Sequence, residues 1–262
     1  MLKKRDMRVQ RHAKDFVTFV KYLKSWMNKN ENTFILNLGG SLIVPNEVDS
    51  EMLTQFRSLI VHQIENSSQK FVIITGGGRT ARRYQNAAAE IIPEIPDEDK
   101  DWLGIHATRM NAQLLRTIFR DYCFPKINTN PHDLEDFYQS KDPVMIAAGW
   151  KPGFSTDYDT VLLAKYLGIK KIINLSNISY IYDKDPNKFP DAQKVDEMEW
   201  KEFRKMCGEK WSPGMNTPFD PIAAEYADTE DLEVVTMNGN DLTNLEDYLN
   251  GKKFAGSVIK NG

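Results

Sequence analysis

The sequence predicts an α/β protein in which a mostly parallel open sheet is sandwiched between helices. Three observations support this fold class. The chain has 262 residues, 41% of them hydrophobic, which is enough for a large core. Short apolar runs alternate with helical patterns, and alternation of this kind implies crossover connections and parallel strands. The 34 basic and 37 acidic residues nearly balance, so the chain lacks the basic excess of a generic nucleic-acid binder.

Residues 1–32 precede this alternation and predict an additional basic, amphipathic helix. Residues 1–30 carry nine Lys or Arg against two acidic residues, and apolar positions from Phe16 to Met27 recur at roughly helical spacing. We expect this helix to pack on the main body or on a neighbouring subunit, with an anionic surface as the alternative. The segment lacks the apolar region of a signal peptide, and no run of about 18 apolar residues predicts a membrane span.

From residue 33 the elements follow one another without a repeat or a low-complexity linker. Apolar runs predict buried strands at 34–38, 71–75, 143–147, 171–175 and 232–237. Helical patterns lie at 50–66, 79–90, 101–121, 157–167, 199–207, 218–227 and 241–249. Segments 92–100 and 183–193 are rich in Pro and Asp and predict surface loops. A weak boundary near residue 170 divides the domain 33–262 into two lobes.

Three strand ends are rich in small residues, and ligands of open α/β sheets bind where strands end and helices begin. Residues 39–41 read Gly-Gly-Ser, and their successive N–H groups can form a nest that favours phosphate. Residues 76–78 are three glycines before a helix, with Arg82 one turn further on, which is a second anion-binding pattern. A tight turn and a flexible loop with solvated arginines are the respective alternatives.

The third strand end covers residues 149–157. Ser155, Thr156 and Asp157 are good helix caps, but Lys151 together with two hydroxyls and two glycines exceeds what a cap needs. Three anion-friendly loops suggest one ligand with several phosphates, or two phosphorylated ligands that meet. The sequence contains no P-loop, dinucleotide-binding, nucleophile-elbow or protein-kinase motif.

In this order, the motifs resemble those of the amino-acid kinase superfamily. They are Asn37-Leu38-Gly39-Gly40-Ser41, Gly76-Gly77-Gly78, Pro152 to Asp157, Ser176-Asn177 and Asp185-Pro186. The block from Asp101 to Ala112 narrows the resemblance, which covers residues 33–260, to archaeal-type uridylate kinases. It implies an amino-acid-kinase-like fold and the reaction ATP + UMP → ADP + UDP, with Mg²⁺, in pyrimidine nucleotide synthesis. It also implies a UMP-binding lobe at 33–170, an ATP-binding lobe at 171–262 and a homo-oligomer, usually a hexamer.

The resemblance assigns roles residue by residue. It implies ATP contacts at Gly39, Gly40, Ser41, Gly78, Arg82, Ser176, Asn177, Tyr182 and Asp185. It implies UMP contacts at Gly77, Asp101, Trp150, Lys151, Pro152, Gly153, Phe154, Ser155 and Thr156. Asp220 matches the family's catalytic-site aspartate, and we expect it to orient a cation or water. Helix capping is the alternative for Asp220 and Asp101, and strand packing for Tyr182.

Asn37 departs from the family pattern, because many amino-acid kinases have a lysine two residues before the first Gly-Gly pair. One cation is thereby removed from the γ-phosphate, and the candidates to replace it are Lys151, Arg79 and Arg82. The loop that the resemblance assigns to UMP is also bulkier than usual, because it carries Trp150, Lys151 and Phe154. This bulk can shift nucleotide preference. The alternatives are a kinase for another small acceptor and a non-catalytic nucleotide-binding or storage protein, such as a molybdenum storage protein.

Two further expectations concern metals and location. The four histidines show no metal-ligand spacing, so no metal site held by the protein itself is expected. Two distant cysteines cannot form a disulfide framework, which favours a reducing cytoplasm.

Overall fold

The computed structural model describes residues 32–184, 188–208 and 218–262. The expected N-terminal helical extension, residues 1–32, lies outside the described residues except for Asn32, and Asp185 lies outside them as well. The strands are β1 Thr33–Leu38, β2 Lys70–Thr75, β3 Val144–Ala147, β4 Lys171–Ser176, β5 Ile181–Tyr182, β6 Lys194–Val195, β7 Glu197–Glu199, β8 Glu233–Asn238 and β9 Ser257–Lys260. The helices are α1 Gly40–Ile43, α2 Ser50–Ser67, α3 Gly78–Ile91, α4 Asp97–Ile118, α5 Glu135–Gln139, α6 Thr156–Leu167, α7 Trp200–Cys207, α8 Pro221–Thr229 and α9 Leu242–Leu249.

Seven strands form one sheet in the order β3-β2-β1-β4-β8-β9-β7, and β5 and β6 form a separate antiparallel pair. Neighbours in the large sheet are parallel except β8 and β9. The five strands predicted from apolar runs are its contiguous part from β3 to β8. The register places Asn37 of β1 beside Asn174 of β4 and Ile74 of β2, so two amides meet near the carboxyl ends of the central strands.

Helices cover both faces of the sheet, as the alternating pattern predicts. Along β1, Ile35 belongs to the apolar cluster on one face and Leu36 to the cluster on the other. Helices α5 to α8 contribute to the first cluster, and α2, α4 and α9 to the second. Side chains buried on both faces explain why the central strands are continuous apolar runs rather than alternating ones. The predicted fold class is confirmed.

Helix α4 begins earlier than the sequence pattern indicates. The segment 92–100 is predicted to be a loop, but α4 starts at Asp97, directly after Pro96. Asp97, Glu98 and Asp99 occupy its first turn, where acidic side chains interact favourably with the helix dipole. The prediction of a loop over 97–100 is therefore wrong, and Asp101 lies inside the helix rather than at its start.

The proposed boundary near residue 170 falls between α6 and β4. Strand β4 pairs with β1 over four residue pairs, so the sheet continues across the boundary without interruption. Among the helices within 32–184, 188–208 and 218–262, none is long and apolar enough to cross a membrane.

Candidate active site

The first two glycine-rich loops interlock at the carboxyl ends of β1 and β2. A Cβ atom on Gly40 would lie 2.0 Å from the Gly78 nitrogen and 2.6 Å from the Gly76 carbonyl carbon. Gly78 has a φ of +62°, and a Cβ atom there would lie 2.2 Å from the Gly40 oxygen. The two backbones touch only because no side chain separates them, so the N–H groups at the starts of α1 and α3 are brought to one place.

Helix α4 joins the second loop to the third. Asn111 donates from Nδ2 to the Gly76 oxygen at 2.7 Å. The Gly149 N–H donates to Thr108 Oγ1 at 2.9 Å, and Thr75 Oγ1 donates to the Thr108 oxygen at 2.9 Å. Buried side chains on one helix thus hold the ends of β2 and β3 in a fixed relation.

Two charged residues of α4 hold the loop 150–155, here called the acceptor loop. Arg109 donates from Nη2 to the Trp150 oxygen at 2.9 Å and from Nε to the Gly149 oxygen at 3.3 Å. Asp101 accepts the Gly153 N–H at 2.7 Å through Oδ2. Burial raises the pKa of Asp101, although this hydrogen bond opposes the shift. Asp101 therefore positions the acceptor loop, a role that the sequence reasoning did not assign to it.

Asp157 ties the third loop to the first, and the sequence reasoning considered it only as a helix cap. Asn37 donates from Nδ2 to Asp157 Oδ1 at 2.7 Å and to Asn174 Oδ1 at 3.1 Å. The Asp220 N–H donates to Asp157 Oδ2 at 2.8 Å. Burial, and next the charge of Asp220, raise the pKa of Asp157 to about 6. The signal in the sequence was its place in the Ser-Thr-Asp motif after a strand.

Asp220 is the N-cap of α8. Its Oδ1 accepts the Ala223 N–H at 2.7 Å, and burial raises its pKa. The capping interpretation of Asp220 is therefore correct, and the same residue also contacts Asp157 through its backbone. The Asp157 carboxylate therefore lies between the Asn37 amide and the Asp220 backbone, and the Asp220 charge is near enough to act on it.

Aromatic rings line the acceptor loop. Four rings follow one another, and the distances are between ring centroids. They are 5.3 Å from Trp150 to Phe154, 4.9 Å from Phe154 to Tyr158 and 5.5 Å from Tyr158 to Tyr226 of α8. Lys151 is exposed, and its Nζ rests 4.0 Å from the Trp150 ring centroid and 5.0 Å from that of Phe154. The loop is thus bulky, as the sequence indicates, and its cation lies against aromatic faces.

The remaining candidates differ in how closely they join this cluster. Ser155 caps α6 by accepting the Tyr158 N–H at 3.1 Å, and Thr156 opens that helix. Gly77 precedes α3, on which Arg82 is exposed.

Among the residues expected to contact ATP, Ser176 lies next to Gly39. A Cβ atom added to Gly39 would be 3.6 Å from the Ser176 Cα. Asn177 follows it and is exposed. Tyr182 lies in the separate β5–β6 pair, opposite Lys194, and no described contact joins it to the glycine loops.

The site gathers backbone amides and few cations, with two carboxylates at its centre. In the described part of the chain, no group of three or more His, Cys, Asp and Glu side chains is arranged to hold a metal ion. An arrangement of this kind suits a ligand that brings its own charge and counter-ion, as a magnesium-bound nucleotide does.

Comparison with known proteins gives consistent results. A sequence profile described as "Amino acid kinase family" matches residues 32–238. The uridylate kinase of Methanocaldococcus jannaschii is 32% identical over 231 residues, which are 86% of this chain and 98% of that protein. The uridylate kinase of Methanobrevibacter smithii is 31% identical over 228 residues, with the same two shares. The crystal structure of uridylate kinase from Archaeoglobus fulgidus superimposes with a TM-score of 0.72 at 27% identity and covers 87% of this chain and 99% of that one.

Proposed function

The chain belongs to the amino acid kinase family, and we infer from this premise that it is a uridylate kinase, which transfers the γ-phosphoryl group of ATP to UMP. The observation that carries this inference is the meeting of three strand ends, at 39–41, 76–78 and 149–157, around one position. The relatives reported above are uridylate kinases matched over almost their whole length, which favours phosphoryl transfer to UMP over storage or another acceptor.

Phosphoryl transfer requires in-line positioning and neutralisation of charge more than covalent chemistry. We assign the ATP phosphates to the loop 39–41 and to Gly78, because the N–H groups of Gly40, Ser41 and Gly78 converge where α1 and α3 begin. The Gly39 N–H donates to the Leu175 oxygen at 2.8 Å and so fixes the loop against β4. Arg82 lies one turn into α3, from which a guanidinium group can reach a phosphate. Ser176 and Asn177 extend the same side toward the adenosine, together with Tyr182 and Asp185 by resemblance.

We assign UMP to the opposite side, which is formed by Gly77, Asp101 and the acceptor loop. Lys151 is exposed, and the contacts of its ammonium group within the described part of the chain are with aromatic faces, so this group can move to the transferring phosphate at small cost. We propose that Lys151 supplies the positive charge of the family's lysine, whose position Asn37 occupies in this chain. Asp157 and Asp220 then orient the groups around the reacting phosphate rather than accept a proton.

Magnesium is assigned to the nucleotide. Mg²⁺ commonly binds through substrate phosphates with few protein carboxylates, and the amide-rich loops fit a nucleotide that carries its own metal. Bound there, Mg²⁺ would neutralise charge on the β- and γ-phosphates.

We also propose a homo-oligomer, hexameric by resemblance, and a cytoplasmic location. Exposed apolar side chains concentrate on α3 and α4, where Ile91 is 79% and Met110 is 69% exposed, with Tyr84 and Trp102 nearby along these helices. An uncharged face of this kind favours contact with another protein surface. Cys123 and Cys207 are free thiols, which supports the proposed location.

The test of the function is an ADP-release assay with ATP and Mg²⁺, using UMP, CMP and acetylglutamate as separate acceptors. We expect turnover with UMP well above that with the other two. A Gly40→Val variant purified in parallel controls for contaminating kinases. Tight ATP binding without turnover of any acceptor would favour the storage alternative instead.

A further inference from the structure

Asp159 is a buried carboxyl group that the proposed reaction does not use. It lies in the first turn of α6, two residues after Asp157, and only 1% of it is exposed. Its Oδ2 accepts the Trp150 N–H at 2.9 Å. Its Oδ1 is buried and has no hydrogen-bond partner among the described residues. Burying a carboxyl group with one oxygen unpaired costs free energy.

The same peptide is held from its other side by Arg109. The Trp150 oxygen accepts from Arg109 Nη2 at 2.9 Å, while the Trp150 N–H donates to Asp159. The Asp159 carboxylate therefore holds the Trp150 N–H, and the Arg109 guanidinium group holds the Trp150 carbonyl oxygen. Both are charge-assisted hydrogen bonds. Trp150 is the first residue of the acceptor loop, which follows β3. Any rotation at this residue would displace every later position of the loop.

The charged groups around Asp159 fit a carboxyl group that holds the Trp150 peptide in place. Arg109 of α4 and Lys151 of the loop are the positive charges near it, and Asp157 of its own helix is the negative one. The Trp150 ring, which Asp159 holds through the backbone, carries the Lys151 ammonium group at 4.0 Å. The position of the Lys151 ammonium group thus depends on the Trp150 peptide.

We propose that Asp159 is a positioning residue for the phosphoryl acceptor: together with Arg109 it fixes the Trp150 peptide and thereby sets the affinity for the acceptor nucleotide. This inference rests on the proposed function, since it assigns the acceptor loop to UMP. Asp159 touches neither nucleotide and acts only through Trp150.

Three variants of the full chain test the proposal at pH 8. Asp159→Val removes the acceptor of the Trp150 N–H at similar volume. Asp159→Asn keeps an oxygen in that place. Thr160→Val is the matched control, because Thr160 is also buried on α6 but donates only to the Thr156 oxygen within the helix, at 2.6 Å. Each is assayed for KM of UMP, KM of ATP and kcat, and for hydrogen exchange at the Trp150 amide.

For Asp159→Val we expect the KM of UMP to rise about tenfold, the scale of one lost charge-assisted hydrogen bond, while the KM of ATP changes less than twofold. Exchange at the Trp150 amide should accelerate at least tenfold. Asp159→Asn should recover most of both effects, and Thr160→Val should show neither. Equal rises in both KM values, or an unchanged KM of UMP with a freely exchanging amide, would overturn the proposal.

Wild-type turnover of UMP, measured beside the Asp159→Val variant, separates failure of this proposal from failure of the proposed function. If the wild-type protein does not phosphorylate UMP, the function is wrong, and the inference about acceptor affinity falls with it. If wild-type turnover of UMP is normal but Asp159→Val leaves its KM and the Trp150 amide unaffected, only the role of Asp159 is wrong.

Discussion

Asp159 and Asp157 lie on one turn of α6, and their surroundings give each carboxyl group a high proton affinity. Burial raises the pKa of Asp159 to about 7, with hydrogen bonding to Trp150 and the charge of Arg109 acting in the opposite direction. The native state therefore binds protons between pH 4 and 7 that the unfolded chain, with an ordinary carboxyl group, releases. Stability contributed by this group is present at low pH and is lost as the pH rises through this window.

We expect Asp159→Asn to be more stable than the wild type at pH 8, by at most about 4 kcal/mol, and not at pH 4, because it removes this titration. Urea unfolding at the two pH values measures the difference. A gain of equal size at both values would contradict the assignment. Greater stability of Asp159→Asn at pH 8 would show that the ionised carboxyl group is held at a cost to the fold.

Asn37 permits a gain-of-function prediction. Its Nδ2 lies 2.7 Å from Asp157 Oδ1, and its own Oδ1 is buried without a described partner. We expect Asn37→Lys to place an ammonium group beside Asp157 and near the phosphates, and so to raise kcat several-fold. Steady-state kinetics with saturating UMP measure this rate. Asn37→Leu, which adds no charge, serves as the control, and an equal rise in both variants would refute the explanation.

At the residue scale, the sequence allowed the types of site residue to be predicted better than their partners. The three glycine loops were recognisable because only glycine allows such close backbone approach. The positioning roles of Asp157, Asp159 and Arg109 were not, because each depends on a contact between residues nine or more positions apart. Spacing along the chain does not encode such contacts.

Among the elements, α4 does the most to hold the site together, and Asn111 is its most specific contact. Asn111 is 4% exposed and is the side chain that joins α4 to the Gly76 oxygen. We expect Asn111→Leu to leave that oxygen unpaired, to lower the free energy of unfolding by about 1–3 kcal/mol and to weaken ATP binding. Calorimetric titration with an ATP analogue, combined with urea unfolding, tests this. Gln113→Leu on the exposed side of α4 should change neither value appreciably.

The interlocked loops give a second prediction at this scale. In Gly40→Ala the added methyl group would meet the backbone of Gly76 and Gly78, which cannot yield as a side-chain end can. We expect a loss of at least about 2 kcal/mol of stability and of measurable kinase activity. Gly104→Ala is the contrast, since its methyl group would meet only the end of Gln85, at 3.0 Å, inside a helix. It should be neutral or slightly stabilising, and a similar loss there would contradict this reasoning.

Elements with a buried face were predictable, and those at the rim of the sheet were not. Strands β7 and β9 are short and partly exposed, so they lack the apolar runs that marked β1 to β4 and β8. The start of α4 was missed because its first turn is acidic and has no apolar residue to set the helical period. Acidic residues after a proline were the available signal, and they indicated a helix N-terminus as well as a loop.

For the whole molecule, the exposed face of α3 and α4 predicts how assembly depends on sequence. We expect Met110→Glu to dissociate the proposed oligomer, because it would bury a charge in an apolar contact. Sedimentation velocity at micromolar protein concentration measures the change. Gln55→Glu adds the same charge to the exposed side of α2 and should leave the sedimentation coefficient unchanged. Dissociation by both variants would indicate a general charge effect instead.

The uninterrupted pairing of β1 with β4 has a consequence for how specificity can change. The proposed ATP contacts follow β1 and β4 and the acceptor loop follows β3, and β2 pairs with both β1 and β3. The separation of the two nucleotides is therefore built into the backbone of one continuous sheet rather than set by a hinge. Diversification is then confined to the segments that hang from the strand ends. A chimaera that receives residues 150–155 from a relative should inherit that relative's choice of nucleobase while keeping its own ATP requirements, so that evolution can exchange one half of the chemistry without rebuilding the other.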